Sequence, residues 1–150
     1  MDDLLASRVC TALMRIGTKM ATGFDQHFAP LGLSQAQFRF LLAVWEEGGE
    51  AGIAPSALAE HLLVERATVS VLGNVLVERG LIERRPGEDR RSHKLALTAT
   101  GGALLQRAVP RAVGLADYTL GTIEPAHLLA LRDQLALIEA RLRTAPPPEE

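Results

Sequence analysis

The sequence predicts a mainly α-helical fold with one small β-hairpin, and long helices at both chain ends. Three observations predict it. Apolar residues recur at steps of three and four through most of the chain, the helical period. One stretch, LIERRPGEDRRSHKLAL, abandons that period for two short alternating runs around a Pro-Gly turn. The first and last helical segments carry apolar faces that the short central elements are too small to cover. At 150 residues the chain amounts to one domain with a substantial core.

Leu5, Val9, Leu13, Ile16, Met20 and Phe24 place a long amphipathic helix over residues 4–28, ended by Pro30 and Gly32. Ser34 and Gln37 form a capping box that opens a second helix over 34–47, with Phe38, Leu41, Leu42 and Trp45 turned inward. EEGGEAG, 46–52, reads as a loop. Pro55 suits the first turn of a short third helix, 55–62, and LLVER follows as a turn. A fourth helix over 66–79 puts Val69, Leu72 and Leu76 on one face and stops at Gly80. LIERR and KLAL are the strands, joined by PGEDRRS. Thr98 caps a fifth helix, 99–122, bent near Pro110. In the last helix, 125–143, Leu128, Leu131, Leu135, Ile138 and Leu142 follow steps of 3, 4, 3 and 4, a coiled-coil-like seam.

Three central helices followed by a two-stranded hairpin make a winged helix-turn-helix. The expected organisation is an N-terminal dimerisation helix at 1–33 and a DNA-binding lobe at 34–98. C-terminal dimerisation helices at 99–143 and a disordered tail at 144–150 complete it. The unsatisfied apolar faces suit a two-fold dimer, with Val9 and Leu13 joining the C-terminal seam.

Composition excludes more than it identifies. Net charge is −2, so no global attraction to nucleic acid follows. Its distribution is uneven: Arg79, Arg84, Arg85, Arg90, Arg91 and Lys94 fall within sixteen residues. No apolar run is long enough to span a membrane. MDDLLASRVC lacks a signal-peptide layout, which makes the cytoplasm the expected compartment. One cysteine rules out an intrachain disulfide. There is no nucleophile elbow, phosphate loop or paired-carboxylate pattern, so no enzyme activity is expected. Nor is a cofactor. His27, His61, His93 and His127 offer no metal-ligand spacing, and no metal site is assigned.

Asp89-Arg90-Arg91, five further residues, then Leu97-Thr98 resembles the wing signature of the MarR (multiple antibiotic resistance regulator) family, bacterial transcription factors. ERGLIERR before it and Thr100-Gly101 after it also fit, and the resemblance spans about residues 8–143. It implies a homodimer on double-stranded DNA carrying an inverted-repeat operator. A recognition helix would enter each of two major grooves and a wing would reach toward the minor groove. It further implies a regulator, most often a repressor, released by a small phenolic or lipophilic effector bound between the dimer helices and the DNA-binding lobe.

On the wing, Arg90 and Arg91 suit the narrow, electronegative minor groove. Asp89 is expected to aim Arg91 through a carboxylate–guanidinium pair. Arg84, Arg85 and Lys94 are expected at phosphates, with His93 at phosphate or solvent. The recognition helix is less cationic than is usual for the family, with Val71 and Val75 on its exposed face and Glu65 where a small cap is common. Arg66, Thr68, Ser70 and Asn74 are its polar candidates. Asn74 could address adenine, and Val71 a thymine methyl, favouring an A·T-rich site. The same valines leave a second reading open: a dimeric ligand-binding or protein-interaction module with weak or non-specific DNA binding. Cys10 stands where the hydroperoxide-sensing branch of the family carries its reactive thiol. Phe24 and Phe38 replace the hydrogen-bonding tyrosines there, which favours a spectator thiol over an oxidation sensor.

Overall fold

The computed structural model describes residues 4–144. Six α-helices and one two-stranded antiparallel sheet follow in the order α1 Leu5–Phe28, α2 Gln35–Ala43, α3 Pro55–Leu62, α4 Arg66–Glu78, β1 Ile82–Pro86, β2 His93–Leu97, α5 Ala99–Leu120 and α6 Pro125–Thr144. The predicted class holds. Thr144 still belongs to α6, so the tail expected from 144 overlaps the helix by one residue, and 145–150 lie outside the described residues.

α1 ends in a short 3-10 turn through Pro30, closed by Gly32 in the left-handed conformation, φ 69°. The capping box then starts α2: the Ser34 hydroxyl accepts from the Gln37 amide at 3.1 Å, and the Gln37 side chain accepts from Ser34 N–H at 3.0 Å. Asp25 on α1 accepts from the Gln35 amide at 2.7 Å, tying the two helices together. Phe28 and Phe38 stack across this corner with centroids 4.4 Å apart. Both rings are buried, each worth about 1.5–3 kcal/mol by area removed from water.

Beyond Ala43 the chain differs from expectation. Val44–Gly48 continues as a π-helical turn where a loop was expected from residue 46, and Trp45, expected inside, is 58% exposed. Phe40 and Val44 take the core positions instead. Ile53 then pairs with Leu95 in a one-residue bridge, exchanging hydrogen bonds of 2.9 and 2.8 Å, so the hairpin gains a third, minimal strand. A side chain at Gly52 (φ 86°) would press on the Leu95 carbonyl, which is why glycine stands there.

α3 and α4 form the helix-turn-helix, and the turn between them places Leu63 in the left-handed region at φ 56°. Leu58, Val69 and Leu76 bury its inner faces against Phe40 and Leu41. Gly73 sits inside this packing, with room for a Cβ at 3.6 Å from the Phe40 ring. Gly80 ends α4 as expected, at φ 71°. Thr98 caps α5 by accepting from the Gly101 amide at 3.0 Å and donates to the Gly80 carbonyl at 2.6 Å. One side chain thus fastens three elements: α4, the hairpin and α5.

α5 runs through Pro110, which removes the hydrogen bond to the carbonyl one turn earlier, and packs beside α1 and α2. α6 has no comparable neighbour. Leu131, Leu135, Ile138 and Leu142 are exposed along it and Leu128 is half-buried, while on α1 Val9 is exposed and Leu13 half-buried. Its C-terminal end touches the lobe through Arg143, which donates to the Glu60 and His61 carbonyls at 3.3 and 3.5 Å. No helix is long and apolar enough to cross a membrane among the described residues.

Candidate nucleic-acid interface

α4 and the hairpin share a single outer surface. α4 begins at Glu65, whose extended backbone occupies the N-cap position without a side-chain cap bond, and its buried stripe of Val69, Gly73 and Leu76 fixes which face looks outward. Arg66, Thr68, Ser70, Val71 and Asn74 are all exposed. Arg66, Ser70 and Asn74 step by four and come together with Arg84 and His93 in a groove of about 290 Å³ between helix and hairpin. Thr68 and Val71 lie on α4 outside that groove. Val71 is 65% exposed and Val75 39%, so the valines form part of the outer face.

The two arginine pairs of the hairpin do different things. Arg84 donates to the side-chain oxygen of Asn74 across the groove. Arg85, the next residue on a strand, points to the other side. It pairs with Glu83 at 2.8 Å and donates to the Glu50 carbonyl. Its guanidinium, expected at a phosphate, pins the 49–52 loop to the hairpin in the protomer. Lys94, opposite Arg85 in the register, is half-buried. His93 is exposed at the start of β2.

At the tip, Arg90 and Arg91 are exposed, and among the described residues neither is paired with a carboxylate. The expected Asp89–Arg91 ion pair is corrected. The Asp89 carboxylate accepts from the backbone amides of Arg91 and Ser92 at 2.8 and 2.9 Å. A short side chain in a tight turn reaches amides two and three residues ahead before it reaches a guanidinium. Those backbone bonds hold the Asp89 carboxyl below its ordinary pKa. Asp89 therefore shapes the backbone from which Arg91 projects and leaves the guanidinium unneutralised.

A second concavity, about 660 Å³, opens between α1, α2 and α5. Met20, Phe24, Phe38, Leu42, Val109 and Val113 supply its apolar wall, and Gln35, Arg39 and Glu46 its polar edge. Phe24 and Phe38 bring no hydroxyl to it. Cys10 is exposed on α1. Among the described residues no group of three or more histidine, cysteine or carboxylate side chains is placed to hold a metal ion.

Sequence reasoning missed Glu50 and Ile53, which anchor the hairpin from behind. The apolar Ile53 between Gly52 and Ala54 was the available signal, but a one-residue bridge is too short to alternate.

Comparison with known proteins places this surface in context. The model of the MarR family matches residues 31–92, which hold α2, the helix-turn-helix, β1 and the wing turn, and end just before β2. The HTH-type transcriptional regulator PecS of Dickeya dadantii is 28% identical over 141 residues, covering 93% of this chain and 85% of that protein. The HTH-type transcriptional repressor YetL of Bacillus subtilis is 31% identical over 100 residues, covering 66% and 59%. Among solved structures, the Mycobacterium tuberculosis transcriptional regulator MOSR, in complex with DNA, superposes with a TM-score of 0.73. Its identity is 27%, over 87% of this chain and 92% of that one.

Proposed function

This chain belongs to the MarR family of winged helix-turn-helix transcriptional regulators, and from that premise we propose that it acts as a homodimer on an inverted-repeat operator in double-stranded DNA. Each protomer lays α4 in a major groove, with Arg66, Thr68, Ser70, Val71 and Asn74 toward the bases and backbone. Its hairpin tip reaches the adjacent minor groove with Arg90 and Arg91, and His93 and Lys94 flank the strand between. The observation that carries this reading is the shared outer surface of α4 and hairpin, where Arg66, Ser70, Asn74, Arg84 and His93 gather in one groove and the tip arginines carry unneutralised charge.

Val9, Leu13, Leu128, Leu131, Leu135, Ile138 and Leu142 form the dimer interface, because α6 leaves its seam uncovered within one protomer. The groove among α1, α2 and α5 takes a small phenolic or lipophilic effector. Its volume and apolar wall suit a molecule of that size. Occupying it would separate helices that hold the lobe, which suits a repressor that lets go of DNA. The compartment is the cytoplasm, where such DNA lies.

Selection from a random duplex library at moderate salt, followed by sequencing, tests this. Enrichment of an inverted repeat with half-sites about one helical turn apart is expected. DNA recovered without any shared sequence would refute operator reading. The exposed Val71 and Val75 would then favour a ligand-binding or protein-interaction module.

A further inference from the structure

Asn74 and Arg84 come from different elements, the third turn of α4 and the middle of β1, and meet side chain to side chain. A guanidinium carries donors only, so the atom that faces Arg84 has to be the amide oxygen of Asn74. The Asn74 NH2 is thereby turned away from Arg84. Asparagine reads adenine with both ends of its amide at once, the oxygen accepting from N6 and the nitrogen donating to N7. With the oxygen already accepting from a cationic donor, its second lone pair is the weaker acceptor left for an adenine amino group, and the nitrogen is the end free to meet DNA.

We propose that Arg84 is a positioning residue that sets the base preference of Asn74, making it mainly a donor, which favours the acceptor edge of guanine over adenine. The proposal rests on the reading of α4 as the operator-reading helix. It assigns Arg84 a role that its charge alone would not suggest. A phosphate contact would fix the protein on the backbone and leave base preference untouched.

Arg84→Met removes the donors while keeping a stem of similar length, and Arg84→Lys keeps a donor. Duplex libraries are selected with the full-length wild type, both variants and the Arg84→Met/Asn74→Ala double variant, then compared position by position. Arg84→Met is expected to gain adenine at one symmetric position of each half-site by about fivefold or more. Arg84→Lys should keep the wild-type preference, and the double variant should lose the adenine gain. A uniform loss of affinity with unchanged preference at every position would overturn the proposal.

The clasp is also read without DNA. The side-chain NH2 resonances of Asn74 should move in Arg84→Met and stay in place in Arg90→Met. Resonances that stay in place in both overturn the clasp whether or not an operator is recovered. A moved resonance alongside a library without shared sequence would locate the failure in operator reading instead.

Discussion

Arg85→Ala and Arg91→Ala remove the same charge from the same hairpin, yet they are expected to act differently on DNA. Arg85 is engaged within the protein, paired with Glu83 and bonded to the Glu50 carbonyl. Arg91 stands at the tip with only its backbone amide engaged, by Asp89. A cation that meets the DNA backbone releases counterions and adds about 0.9 to the slope of log affinity against log salt. A symmetric dimer carries the residue twice, so Arg91→Ala should make the slope shallower by about 1.8. Between roughly 50 and 200 mM salt, the variant would then lose about twelvefold less affinity than the wild type. Arg85→Ala should leave the slope within about 0.3 of the wild type. Fluorescence anisotropy with a labelled selected duplex across that salt range gives both slopes. An unchanged slope for Arg91→Ala, or equal losses from the two variants, would refute the division of labour within the hairpin.

Three further outcomes are expected. Gly73→Ala should stabilise the fold by about 0.5–1 kcal/mol in denaturant melts, because a Cβ there makes ordinary contact with Phe40; destabilisation would mean that this packing is tighter than it stands. The lowered pKa of Asp89 means that its share of hairpin order is complete above the ordinary value of 3.8 and is lost as pH falls through the folded value. The Arg91 and Ser92 amide resonances should therefore titrate together below 3.8 in the wild type and hold still in Asp89→Asn, whose oxygen still accepts; a midpoint at or above 3.8 would count against the backbone bonds. Leu135→Arg, at a position 38% exposed in the protomer, should convert the dimer to monomer in analytical ultracentrifugation, and an unaltered dimer would place the interface elsewhere.

Most of the fold was legible because its signals are local. Ser34 with Gln37, Gly80 and Thr98 each mark an end by a bond or a backbone angle that their neighbours determine. The 44–53 segment was not, since the π-helical turn at Val44–Gly48 and the Ile53–Leu95 bridge are settled by packing against a strand forty residues away. Trp45 illustrates the cost: helical period alone turned it inward, whereas Phe40 and Val44 fill the core and Trp45 stands outside. On the candidate interface, the residue types were readable and their pairings were not. Asp89 beside Arg91 suggested an ion pair, but the turn brought backbone amides closer. Adjacent Arg84 and Arg85 looked equivalent until strand alternation sent them to Asn74 and Glu50.

α6 has a further consequence, for how much of this protein exists in its working form. In the homodimer proposed above, a helix whose seam is uncovered in the protomer draws stability from its partner, so that stability obeys mass action. Each tenfold dilution takes about 1.4 kcal/mol from the dimer. The melting temperature should accordingly rise with protein concentration, and two half-sites on one duplex should fill together. In the proposed homodimer, copy number thereby becomes a thermodynamic variable of the regulator itself.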